Sequence, residues 1–371
     1  MRSAAPLLLA QPSRFAGWPR QSAVVALAAL AALLLTSLLA LGVPDAVHAL
    51  GVSPSDPGEQ TDLILYGSIV DGIRHGGNYY LVAADALRSG DYPLQPFVTF
   101  RLPTLAMVQA ILPPVVITGL LYALAAGVVI AWLVRLRPLF ARPIPHMIAM
   151  LLLLGGLIAF TQSHLALFHE IWAGLLIAFS LAARRPGRWI ESVALGLMAM
   201  LIRETAALYV GVMFVLALFD GSRREAAGWF GATLVLAVAV ALHASAVAGV
   251  VRPFDAASPG WAGMLGFGLF VKAMTLATAL TLLPSALAAL LTALALFGWA
   301  ACRGGFALRA FATLCAYAVL IGVFGRADTF YWGLLVAPLL LVGLAFVPDA
   351  IRDLTRAALD RRRITVTRTA S

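Results

Sequence analysis

The sequence predicts an all-α polytopic membrane protein of about ten transmembrane helices, with short amphipathic helices in its first outer loop. Three observations lead there. Hydrophobic residues make up 62% of the 371-residue chain and the mean hydropathy is +0.94, values reached when apolar runs of about 20 residues recur at bilayer thickness. Basic and acidic residues divide between alternate connecting segments. One connection, 44–113, is far longer and more polar than the others.

Apolar runs place spans at about 22–43, 114–134, 144–160, 165–183, 189–202, 205–219, 228–250, 284–302, 306–324 and 331–347. The first is too long for the core of a cleavable signal and no small-residue cleavage pattern follows it, so it is expected to persist as a span. The two runs flanking Arg203-Glu204 are short, and that hairpin is expected to stop short of a full crossing. Segment 263–283 is apolar enough to span. An eleventh crossing there would, however, put Arg303, Arg309 and Arg361-Arg362-Arg363 on the wrong side. It is therefore read, within 252–283, as a second outer-face segment lying on or dipping into the membrane between Pro259 and Pro284. Residues 349–371 read as a cytoplasmic tail, and the whole chain as a single transmembrane domain. Cys302 and Cys315 both fall in apolar spans, which argues against a disulfide scaffold.

With the N-terminus in the cytoplasm, nineteen of the 26 basic residues fall on that side and eleven of the seventeen carboxylates on the other. The excess of Arg orients the chain with both termini cytoplasmic. It also accounts for the net charge of +9 through anionic lipid headgroups, with no need for nucleic acid. The abundance of Ala, Leu and Arg beside a single Lys points to a GC-rich bacterial genome, and so to an inner membrane.

Ionisable groups on the outer face are the ones that need a reason, because charge near membrane depth is costly and tends to be paired or functional. They form five clusters: Asp62 and Asp71 with Arg74; Arg101; His164, His169 and Glu170; Arg203-Glu204; and Arg326 with Asp328. Acids and bases converging from distant parts of the chain suit a charged or polyhydroxylated ligand. The plainer reading of Arg203-Glu204 and Arg326–Asp328 is ion pairing at helix ends.

The long loop carries seven carboxylates, including Asp45, Asp56 and Glu59. From Asp62 to Ile73 the spacing is helical, with Asp62, Tyr66, Ile69 and Ile73 on one stripe. Asp71 lies about half a turn away in azimuth, so both acids cannot face one pocket; it is placed to pair with Arg74. Gly76-Gly77 ends this helix and 79–88, including Tyr80, begins a second amphipathic one that would lie flat on the membrane. Gly90, Pro93 and Pro96 then give an extended stretch leading to Arg101-Leu102-Pro103.

One span, an outer loop with Asp, Tyr, Gly and Tyr-Tyr, an Arg-x-Pro exit, and paired short spans together resemble the GT-C superfamily of integral-membrane glycosyltransferases. The protein O-mannosyltransferase and lipid A aminoarabinose transferase types are nearest in style. The resemblance is sharpest over 62–103. It implies a GT-C-like fold, a polyprenyl-phosphate-linked sugar as donor, and a lipid or glycan acceptor. Asp62, followed by Tyr66, matches the loop acid that acts as catalytic base or metal ligand, and Arg101 the basic residue that meets the donor phosphate. Glu170 stands where a second acid is common. Tyr66, Tyr80, His169, Arg203, Glu204, Arg326 and Asp328 would bind substrate. The chain departs from the pattern in three ways: Leu63 replaces the second acid of a common pair, Arg101-Leu102-Pro103 stands for Lys-Pro-Pro, and no large C-terminal outer domain is present to receive a peptide.

In the expected chemistry a guanidinium grips the leaving phosphate through parallel charge-assisted bonds, with Arg203 and Arg326 as alternatives to Arg101. A carboxylate takes the acceptor's proton. No cofactor is required by the sequence. A divalent metal could be held by His164, His169 and Glu170, but histidines five apart do not share a helix face, which favours capping of span ends or contacts to sugar hydroxyls. The competing readings are a multi-pass lipid or sugar transporter or flippase, although no internal repeat is evident, and a non-catalytic assembly subunit of the same architecture.

Overall fold

The computed structural model describes residues 6–44 and 62–360. Asp45, Asp56, Glu59 and Arg361-Arg362-Arg363 lie outside the described residues. Among those described there are no β-strands, only three isolated bridges. The helices run α1 Arg20–Ser37, α2 Asp62–Arg74, α3 Tyr79–Ser89, α4 Thr104–Ile111, α5 Pro114–Leu136, α6 Pro143–Gly156, α7 His169–Ala183 and α8 Ile190–Ile202. They continue as α9 Ala207–Phe219, α10 Arg223–Ala248, α11 Gly266–Ala277, α12 Ser285–Ala301, α13 Gly305–Phe324, α14 Ala337–Leu340 and α15 Val347–Leu359. Proline sits in the first turn of α5 and α6, where its missing N–H is no loss.

Four helical stretches are long and apolar enough to cross a membrane alone: Arg20–Gly42, Pro114–Leu139, Arg223–Ala248 and Gly305–Phe324. A fifth exists if Ala327–Leu335 and Ala337–Leu359, bent by 60°, count as one. These long apolar helices mark a membrane protein. Their side chains agree, since Leu35, Ile130, Val238 and Leu242 stand largely exposed on the outside of the bundle, as hydrocarbon solvent permits. The remaining predicted spans fall on helices of 13 to 17 residues, roughly 20–26 Å at about 1.5 Å per residue and short of the ~30 Å apolar core.

The predicted span 331–347 is not one regular helix. It breaks at Val336, whose φ/ψ of −128°/0° leaves the helical region just before Pro338. The predicted tail, in turn, begins as helix: α15 runs to Leu359 and packs on α1 and α12. Within segment 263–283, α11 packs into the bundle against α13 and the Ala327–Leu335 turns, and a 3₁₀ turn follows at Ala279–Leu282.

Helix α7 is the centre, with thirteen of its fifteen residues buried. Gly174 lets it approach the Leu334 carbonyl so closely that any Cβ would collide there. Charges sort by end. At one end Arg184 pairs with Glu225 at 2.7 Å and Arg309 with Asp220 at 2.7 Å. At that same end the amides of Leu7, Leu8 and Leu9 donate to Asp349 at 2.6–3.0 Å, and that of Ser13 to Asp353 at 3.0 Å. The start of α7, the end of α8 and the loop helices α2–α4 meet at the other end, where the candidate site lies.

Candidate functional site

The amphipathic stripe of α2 is what builds the site. Leu65, Tyr66, Ile69 and Val70 are buried, which turns Asp62 and Tyr66 toward a cavity of about 310 Å³. Asp71 is on the opposite, exposed side and pairs with Arg74 at 3.0 Å, as its azimuth predicts. After the Gly76-Gly77 turn, the Asn78 side chain accepts the Tyr80 amide at 3.0 Å and caps α3. The loop then returns across the cavity so that Arg101 faces α2.

Asp62, Tyr66, Arg101, His169, Arg326 and Asp328 all line this one cavity. Asp62 Oδ1 accepts a hydrogen bond from Tyr92 Oη at 2.9 Å. Burial raises the Asp62 carboxyl above the usual range; the Tyr92 bond and the Arg101 charge oppose that rise, while Glu170 and Asp328 add to it. Arg101 is held by its stem. Its Nε donates to Tyr66 Oη at 3.2 Å and its carbonyl accepts from Tyr79 Oη at 2.5 Å. Burial raises both phenols, so they stay neutral in these roles. The two terminal nitrogens of Arg101 make no hydrogen bond or ion pair with the described residues, which leaves the charged edge of the guanidinium for a ligand.

The other predicted residues stand differently. Glu170 is fully buried and accepts from Arg203 Nε at 2.6 Å; it lines neither this cavity nor its neighbour. Arg203 also meets Glu204 at 3.2 Å, and Glu204 Oε1 accepts the Leu102 amide at 3.1 Å. This chain fixes the Arg101–Pro103 exit to the start of α7. Arg203 and Glu204 line a second cavity of about 310 Å³. Arg326 pairs with Asp328 at 2.6 Å on a partly exposed rim. Tyr80 reaches neither cavity; its Oη lies 3.2 Å from His243 Nδ1.

His164 is exposed, whereas His169 is 3% exposed. Arg203 holds one Glu170 oxygen, and no group of three or more His, Cys, Asp or Glu placed to hold a metal ion occurs among the described residues.

No protein-family model, curated protein or solved structure matches the chain.

Several residues of the site were missed from sequence. Tyr92, Trp261 and Tyr331 line the first cavity, and His243 and Trp332 the second. His243 did carry a signal, as a lone imidazole inside the apolar run 228–250. Tyr92, Trp261 and Tyr331 carried none beyond being aromatic.

The Tyr92 bond gives a pH prediction. It favours the ionised form of Asp62, so removing it in Tyr92→Phe raises the carboxyl pKa further. If Asp62 must be ionised to act, the acid limb of the pH–rate profile moves to higher pH in the variant, by about one unit for a bond to a charged group. An unmoved limb, measured on the purified variant, would show that Asp62 does not set it.

Proposed function

We propose that this protein is a membrane glycosyltransferase. It moves a sugar from a polyprenyl-phosphate donor to an envelope acceptor, lipid or glycan, at the periplasmic face of a bacterial inner membrane. The observation that carries the reading is the pairing, in one cavity, of a half-buried carboxylate of raised pKa with a guanidinium whose charged edge is unspent. One is suited to take a proton, the other to hold a phosphate.

In this reading the chain crosses the membrane about ten times, the shorter helices extended by 3₁₀ turns or seated where the protein surrounds them. The Arg-rich end carrying Arg184 and Arg309 faces the cytoplasm. The donor enters from the outer leaflet with its tail between helices. Its phosphate meets Arg101, which Tyr66 holds in place. The acceptor hydroxyl gives its proton to Asp62 as its oxygen bonds to the anomeric carbon. The bond from that carbon to the phosphate oxygen breaks, and polyprenyl phosphate leaves as an anion needing no proton. Attack opposite the leaving group inverts the anomeric configuration. Glu170 acts through Arg203 and Glu204, setting where Leu102, and hence Arg101, lies.

The test is to incubate the purified protein in lipid nanodiscs with labelled polyprenyl-phosphate sugars. Transfer, or slow release of sugar to water, is the expected result. Binding with no bond broken across the set would favour the transporter reading instead.

A further inference from the structure

The second cavity adjoins the first, and Arg101, Tyr331 and Trp261 line both. Its charged groups are already engaged: Arg203 with Glu170 and Glu204, and Glu204 with the Leu102 amide. What remains to meet a ligand is neutral. Three residues lining this chamber, Trp332, Thr205 and His243, each hold a buried polar atom with no hydrogen-bond partner among the described residues: Nε1, Oγ1 and Nε2. Trp332 is 7% and His243 3% exposed. Folded proteins leave few such groups, because each one loses water without gaining a partner.

The imidazole is also held in position. Tyr80 Oη lies 3.2 Å from its Nδ1, and the Phe97 ring stands edge-on at 6.4 Å. The Phe100 backbone also bears on this imidazole. Phe97, Tyr331 and Trp261 supply aromatic walls. A mostly apolar, ring-lined chamber with a few unpartnered neutral hydrogen-bonding atoms in its wall residues suits a ligand with apolar faces and hydroxyl edges. A free phosphate or carboxylate would find no unspent cation there except Arg101 at the boundary.

We propose that the second chamber is a subsite for a neutral sugar ring, its hydroxyls met by Trp332, Thr205 and His243 and its faces by the aromatic walls. The inference rests on the glycosyl-transfer reading only in placing a phosphate at Arg101. The ring could belong to the donor, extending from that phosphate, or to a glycan acceptor.

The experiment compares wild type with Thr205→Val, which removes the hydroxyl at nearly constant shape, and Trp332→Phe, which keeps an aromatic face but not the N–H. The probes are farnesyl phosphate, a set of hexosyl and pentosyl farnesyl phosphates, and the matching methyl glycosides. Binding is read by tryptophan fluorescence and by thermal shift. Each variant is expected to lose about five- to tenfold in affinity for the sugar-bearing probe that wild type prefers, and nothing for farnesyl phosphate. Ligand-free Thr205→Val is expected to melt at or above the wild-type temperature, since its buried unpaired hydroxyl is gone.

Loss confined to the sugar phosphates assigns the chamber to the donor's sugar; loss shared by the methyl glycosides assigns it to the acceptor's. Unchanged affinities in both variants, or a wild type that binds farnesyl phosphate as well as every sugar-bearing probe and binds no glycoside, overturn the proposal. Transfer activity alongside unchanged affinities would sink the chamber and leave the transferase standing. Sugar-dependent loss with no bond cleavage would do the reverse.

Discussion

Asp62→Asn is expected to abolish glycosyl transfer while leaving the protein folded. Asn keeps an oxygen that can accept from Tyr92 Oη, now 2.9 Å from Asp62 Oδ1, and it fits the same half-buried position. What it loses is the capacity to take a proton. Removing a positioned general base costs about 10²–10⁴ in rate, and burial that raises the Asp62 carboxyl makes it a stronger base than an exposed carboxylate. The measurement is product formation from labelled donor, alongside elution profile and melting temperature. A fully active, well-folded variant would remove Asp62 from the mechanism.

The second large effect is expected at Arg101. Its guanidinium has a phenol at Nε and no carboxylate within ion-pair distance among the described residues, so Arg101→Ala strands no buried acid in direct contact. Fold is expected to survive. Donor binding is expected to fall by about 10²-fold or more, the range for removing one partner of a buried charge pair. Arg101→Lys should recover only part of this, because an ammonium keeps the charge but not the two parallel bonds to phosphate oxygens. Titration with farnesyl phosphate decides it, and equal affinity in wild type and Arg101→Ala would reassign the phosphate. Arg203 offers no comparably clean test. Its removal leaves Glu170, fully buried, without its counter-charge, a change that costs about 3–5 kcal/mol in typical proteins.

The loop helices were legible because their signals are local. The Asp62–Tyr66–Ile69 stripe, the Gly76-Gly77 stop and the three-residue spacing of Asp71 and Arg74 each act within a turn or two, and α2, α3 and the 3.0 Å pair follow them. Topology added the long-range part, bringing Asp62, Arg101, His169, Arg326 and Asp328 to one cavity. What hydropathy could not give is which charged groups satisfy each other. Glu170 and Arg203 are 33 positions apart, and only the packing of α7 on α8 makes them an ion pair. Nor could it give helix length. An apolar run looks the same whether it forms one span or, as at 327–346, turns and a short helix folded inside other helices.

The hydrogen bonds from the Leu7–Leu9 amides to Asp349, and from Ser13 to Asp353, join positions about 340 residues apart. A ribosome delivers these partners far apart in time, the amides first. The Leu7–Leu9 amides therefore have no Asp349 carboxylate to donate to until α1–α14 have been made and handed to the bilayer. Docking of α15 is then a late assembly event, with long-range closure paid last. Chains stalled or cut before residue 349 would carry an open seam along α1 and α12, a natural mark for quality-control proteases.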